Sequence, residues 1–311
     1  MPGIDEDIMR ELMHRCTDDL HASPHVAAAI VRRQRHRRLR NRALGVAVAG
    51  AAAGTAVAVV ASAPGATPSR TPGTVTASGI RLTAAQKSLY QLSDAAARTS
   101  RPGGRYVILT EKQDNYDRTS VIDSLTGDVW TYQHGAGVPS ELPVARHDSP
   151  TAAQFDAMPT DVASLRALLI TQGKEQQAQG VAQEQKEMKA HGKKGTVSQP
   201  RLTDDDWAFD QATTLLWNPL VGPQLRAALY KVLADTPGVR VDNHARDGLG
   251  RAAVEISRTA TSTGIEDQTF ENPKTGAVLE TAFVYQDGNT GTDLYMPVTS
   301  SNHVPSNPYQ S

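Results

Sequence analysis

The chain has 311 residues, of which 39% are hydrophobic and only 5% aromatic, and its formal net charge is −1. That length allows one large domain or two small ones, and so lean a composition fits one modest core with long polar segments. A single cysteine, Cys16, excludes an intrachain disulfide framework and a multi-cysteine zinc site.

Charge is spread unevenly. Residues 1–42 hold nine Lys/Arg and six Asp/Glu, whereas residues 64–311 hold twenty-three and twenty-seven. A short basic arm ahead of a slightly acidic body does not fit a nucleic-acid binder. Within the arm, residues 4–21 place Ile4, Ile8, Met9, Leu12, Met13, Cys16 and Leu20 at near-helical spacing, which predicts a short amphipathic helix. Forty-two residues offer this stripe too little to pack on as a core of its own. It reads either as a membrane-surface helix or as a partner-docking helix presenting Ile8, Leu12, Met13 and Leu20.

Seven arginines follow within eleven residues: Arg32, Arg33, Arg35, Arg37, Arg38, Arg40 and Arg42. Then Ala43–Ala63, twenty-one residues built from Ala, Val and Gly, carries no charge. At about 1.5 Å per residue it would span roughly 31 Å, close to the hydrocarbon thickness of a bilayer. Positive flanks stay on the cytoplasmic side, so the arginines predict an N-terminus inside and a C-terminus outside. Three other readings compete with an uncleaved signal-anchor, one of them a buried soluble helix, which the flanking arginines and the lack of an amphipathic face disfavour. The Ala-Ser-Ala at 61–63 fits a signal-peptide cleavage site, and the paired arginines suit a twin-arginine signal. A forty-two-residue lead and an apolar run longer than a signal peptide's favour the uncleaved span. Within it, Gly50 and Gly54 form a small-xxx-small pair that would let two helices approach closely.

Residues 64–79 are rich in Pro, Gly, Ser and Thr and read as a linker. An exported domain, 80–311, is expected to follow. Thr83 with Gln86 forms a capping box for a helix ending near Ser100. Residues 105–113 and two segments joined around 125–127 alternate as strands. Residues 134–158 read as loop. A helix is expected over 160–173, with Val162, Leu165, Leu168 and Leu169 inward. Residues 173–200 are Gln- and Lys-rich and read as a solvent-exposed polar insert, helical in part. Two further helices follow, the first capped by Asp204–Asp206 and the second opened by Pro223. Trp207, Phe209, Leu215, Leu216 and Trp217 are candidate core. The end is β again: hairpins around Asp247-Gly248 and Pro273–Gly276, then a last strand. The expected fold is α+β, a curved antiparallel sheet of two meanders covered by helices on one face and preceded by one transmembrane helix.

The segments "LYKVLADTPGVRV", "DGLGRAAVEISR" and "TFENPKTGAVLE", behind a basic arm and one span, resemble an uncharacterised actinobacterial family. Its members have a short cytoplasmic N-terminus, one membrane helix and one exported domain, and are encoded beside extracytoplasmic-function sigma factors. The resemblance implies a cytoplasmic sigma factor as partner. More weakly, the strands and the "NPKTG" turn are similar to lipoprotein-carrier-like half-barrels and to periplasmic regulators of anti-sigma factors. That second resemblance implies an apolar ligand held outside the cell by an anchored carrier. Zinc-type anti-sigma domains carry a His and two close cysteines, which this chain lacks.

No motif of a hydrolase, metalloprotease, P-loop or dinucleotide enzyme occurs where it would work. His134, His147, His191, His244 and His303 are scattered, and the residues around Asp114, Asn115 and Asp117 read as a turn. The expectation is therefore a binding or sensing protein with no catalytic, cofactor or metal residues.

Overall fold

A computed structural model of the chain describes residues 82–113, 116–135, 146–147, 149–192, 197 and 201–303. The arm with Ile8, Leu12, Met13 and Leu20, the arginines from Arg32 to Arg42, the segment with Gly50 and Gly54, and the linker lie outside the described residues. Among the described residues no helix is long and apolar enough to cross a membrane.

Local signals start the helices where the sequence predicts. Thr83 accepts from the Gln86 N–H at 3.1 Å while the Gln86 side chain accepts from the Thr83 N–H at 3.0 Å, which satisfies two donors that helix geometry would leave orphaned. The helix they open, α1 (Ala84–Ala97), buries Leu89, Leu92 and Ala96. It stops short of Ser100, ahead of Pro102, which disfavours helical backbone at Arg101. Three strands follow, β1 (Tyr106–Gln113), β2 (Tyr116–Asp123) and β3 (Asp128–Gly135). The stretch expected to be loop holds a two-residue strand, β4 (Arg146–His147), and a short helix, α2 (Ala152–Asp156).

The largest departure from the sequence reading is α3, which runs Val162–Ala190 without a break through most of the expected polar insert. Its Gln, Glu, Lys and Ala residues are good helix formers. A Gln183 to Glu187 bond of 2.8 Å supports the exposed half. Its buried residues are all near the start: Leu165, Leu169 and Gly173. Val162 and Leu168, also expected inward, are half-buried. Next, α4 (Asp204–Leu216) has Thr203 as its N-cap, and of the three aspartates Asp206 closes the capping box by accepting from the Thr203 N–H at 2.7 Å. Asp204, Asp205 and Asp206 fill its first turn, where the helix dipole favours negative charge. Finally, α5 (Pro223–Ala234) opens on Pro223 as expected and is buried along most of its length, through Leu225, Leu229, Tyr230, Val232 and Leu233.

The second meander comprises β5 (Arg240–Asp242), β6 (Val254–Thr259), β7 (Glu266–Glu271), β8 (Val278–Val284) and β9 (Thr290–Tyr295), followed by β10 (Thr299–Ser301). The ten strands among the described residues join one antiparallel sheet in the order β4-β3-β2-β1-β9-β8-β7-β6-β5, with β10 paired to β1. The two meanders thus merge at β1. Its Glu111 and Lys112 pair with β9, and Tyr106–Ile108 pair with β10. Pro297 lies between those two strands and cannot donate to the ladder, which accounts for the interruption.

Strand alternation then decides which side chains meet the helices. Val107 of β1, Ile122 of β2 and Val254 and Ile256 of β6 share one core with Leu89, Leu169, Phe209, Leu216, Leu229 and Leu233. The opposite face carries a smaller cluster of Tyr106, Val121 and Tyr132 with Trp130 beside it.

At Gly173, α3 lies tight against α4: a Cβ there would collide with the ring of Trp207. Gly173→Ala should therefore destabilise the domain by about 1–3 kcal/mol from overpacking, although alanine is the better helix former by about 1 kcal/mol. Thermal unfolding checks this, and an unchanged or raised midpoint would mean that Trp207 yields freely.

Candidate functional site

The seam between helices and sheet is unusually polar. Buried among the apolar side chains are Glu111, Asp206, Arg258, Thr269, Glu271 and Thr281. Buried polar groups cost stability unless satisfied, so each is evidence of a specific arrangement.

At one end, Arg258 of β6 forms an ion pair with Asp206 of α4, its side chain 8% exposed against 2% for the carboxylate. Arg258 also donates to the Pro237 carbonyl at 3.0 Å. Burial alone would raise the Asp206 carboxyl, but the bonds from Arg258 and Thr203 bring it below the ordinary range. Asp267, opposite Arg258 on β7, goes the other way. Burial and the nearby Asp210 and Asp206 hold its carboxyl well above the usual value.

At the other end, Glu111 of β1 pairs with Arg118 of β2. Its Oε1 has no hydrogen-bond partner among the described residues. Tyr295, opposite Glu111 in the ladder, stacks on Trp217 with ring centroids 6.1 Å apart. Its hydroxyl lies 3.4 Å from that of Thr281.

Between them sits Glu271, the last residue of β7, with no exposed surface. Thr269 donates to its Oε1 at 3.0 Å, and its Oε2 has no hydrogen-bond partner among the described residues. Tyr230 of α5 stands beside it and donates to the Gly276 carbonyl at 2.7 Å. Arg226, one turn earlier on α5, spends its guanidinium on the carbonyls of Leu216 and Asn218, at 2.8 and 3.2 Å. The charge nearest Glu271 is thus committed elsewhere. Burial is the main cause that lifts its carboxyl to about 7, against smaller lowering from Tyr230, Thr269 and Arg226. An acid of this kind can exchange a proton near neutrality.

The candidate docking, topology and helix-packing residues named from sequence, from Ile8 to Gly54, lie outside the described residues, and of the seam only Asp206 was singled out, as part of a helix cap. Among the described residues no group of His, Cys, Asp and Glu could hold a metal ion. His191, His244 and His303 are exposed. The other seam residues went unnoticed in the sequence, although one signal was available. In "EDQTFE" the alternation that turns Thr269 inward must turn Glu271 inward as well.

No protein-family model matches the chain, and no curated protein matches it. Among solved structures, it is similar to the complex of Pseudomonas aeruginosa MucA/MucB, at 14% identity and a TM-score of 0.29, with 70% of this chain and 57% of that chain covered. It is likewise similar to MucB in complex with MucA(peri), at 13% identity and a TM-score of 0.29, with 71% and 57% covered. This chain therefore spans less than two thirds of the length of either. A likeness at that TM-score carries no argument about function.

Proposed function

We propose that this chain is a single-pass membrane protein whose arm, residues 1–42, lies in the cytoplasm and whose residues 80–311 form an extracytoplasmic sensing domain on a curved sheet. The arm would regulate an extracytoplasmic-function sigma factor through Ile8, Leu12, Met13 and Leu20. The observation that carries this reading is the charge-free run Ala43–Ala63 directly behind seven arginines, joined through a Pro/Gly/Ser/Thr linker to an α+β domain. The resemblance to a family encoded beside such sigma factors supplies the partner. A carrier of apolar ligand is the weaker reading, because Leu216, Leu229 and Leu233 pack the helices against the sheet. An apolar ligand on that face would have to displace them.

Deleting residues 1–31 while keeping the arginines and the span should change transcription of the partner's regulon by several-fold. An unchanged regulon, with the deleted protein still in the membrane, would overturn the regulatory reading. Copurification of the tagged full-length protein from its own membranes identifies the partner. A sigma factor lost with the deletion supports the proposal, and lipid or an envelope protein in its place favours an anchored binding module.

A further inference from the structure

Tyr230 has one hydroxyl proton and two acceptors within reach. One is the Gly276 carbonyl, which receives it at 2.7 Å. The other is the fully buried Glu271, whose carboxyl lies close enough to act on the Tyr230 hydroxyl while its Oε2 forms no full hydrogen bond with a described residue. Gly276 closes the turn between β7 and β8. Its backbone sits at φ +63, and a Cβ there would lie 3.1 Å from both Ala96 of α1 and the ring of Tyr230. The tip of the β7–β8 hairpin is therefore seated against α1 and α5, and the Tyr230 hydroxyl gives it a polar bond there.

We infer that Glu271 and Tyr230 form a proton-operated latch for this hairpin. With Glu271 protonated, the acid has no claim on the Tyr230 proton and can itself donate to the Tyr230 oxygen, so the bond to Gly276 stays intact. With Glu271 ionised, a buried carboxylate competes for that single proton and draws the hydroxyl away. A charge-assisted bond is roughly twice as strong as a neutral one, so the Gly276 carbonyl loses its donor and the hairpin tip loosens.

The groups facing Glu271 leave it free to act in this way. From α5 they are Tyr230 and Arg226, and Arg226 is held by the Leu216 and Asn218 carbonyls. Behind Arg226 stands Arg101, itself bridged to Asp156 of α2. The ladder neighbours on β6 and β8 are Val254 and Val278, which carry no charge. Burial accounts for a carboxyl that titrates at about 7, within the range a cell's surroundings reach. The latch needs no cytoplasmic partner and so stands or falls separately from the regulatory reading.

Hydrogen exchange on the full-length protein in detergent, from pH 5 to pH 9, tests it. After correction for the intrinsic rate, the amides of residues 272–278 should lose protection about tenfold or more as pH rises through 7. Glu271→Gln should keep them protected throughout, and Tyr230→Phe should leave them exposed throughout. A step of the same size in Glu271→Gln, or wild-type protection that does not change with pH, would overturn the proposal. Should Glu271→Gln fail to fold, Tyr230→Phe decides alone: a pH step that survives without the hydroxyl sinks it.

Discussion

Replacing Arg258 with methionine is expected to lower the stability of the domain by about 3–5 kcal/mol, the usual cost of stranding one member of a buried ion pair. For a domain of this size that corresponds to a fall in melting temperature on the order of 10 °C. The cost arises because Asp206 is almost wholly buried and cannot regain water when its partner is removed. Much of it should therefore vanish in an Asp206→Asn background, where no charge is left behind. There the same change should cost about 1–2 kcal/mol, from the lost bond to Pro237 and altered packing. Equal costs in both backgrounds would show that the pair contributes nothing specific. Acid gives a second handle. The Asp206 carboxyl lies below its unfolded value, so its contribution is present above the ordinary carboxylate range and is lost as pH falls through the folded pKa.

That pair also shows what the sequence could and could not reveal. Thr83, Pro223 and the turn before Gly276 were legible because each signal and its consequence lie within a few residues. Whole strands were legible for the same reason, since period-two alternation is local. The pairing of Arg258 with Asp206 spans 52 positions. Nothing near either residue announces the other: Asp206 reads as part of a helix start, one of three aspartates expected to cap it. The continuation of α3 to Ala190 was half legible. Its residues favour helix, but with no apolar stripe past Gly173 the exposed half looked like an insert. The merger of two meanders at β1 could not be read at all, because it depends on β9 and β10 returning to a strand some 180 residues earlier.

The polar seam has a bearing on how such a domain could sense. A core of leucines alone would hold helices on a sheet with little dependence on conditions. Here the contact between α5 and the β7–β8 hairpin runs partly through Tyr230, Thr269 and Glu271. Hydrogen-bond networks have discrete arrangements, and a change in one proton can reweight them. The same contact touches α1, the described element nearest in sequence to the linker, through Leu92 and Ala96 beside Gly276. A shift at the hairpin would therefore reach α1 through direct packing.

Glu271→Gln should remove part of the pH dependence of stability. In the folded protein this carboxyl keeps its proton up to about 7, whereas the ordinary value is 4.5. Between those values the folded state holds a proton that the unfolded chain has lost, so stability falls as pH rises through the window and levels off above it. Two and a half units at 1.36 kcal/mol each amount to about 3 kcal/mol. Glutamine is nearly isosteric and stays neutral, so the variant should match the wild type near pH 4.5 and exceed it by up to about 3 kcal/mol at pH 8. Asp267, Glu255 and Glu280 are raised as well, chiefly by burial, and they add to the wild-type slope. The difference between the two denaturation curves, measured at each pH on the same preparation, isolates Glu271. Parallel curves from pH 4.5 to 8 would mean that Glu271 ionises without cost, and the seam would then be only a satisfied polar core.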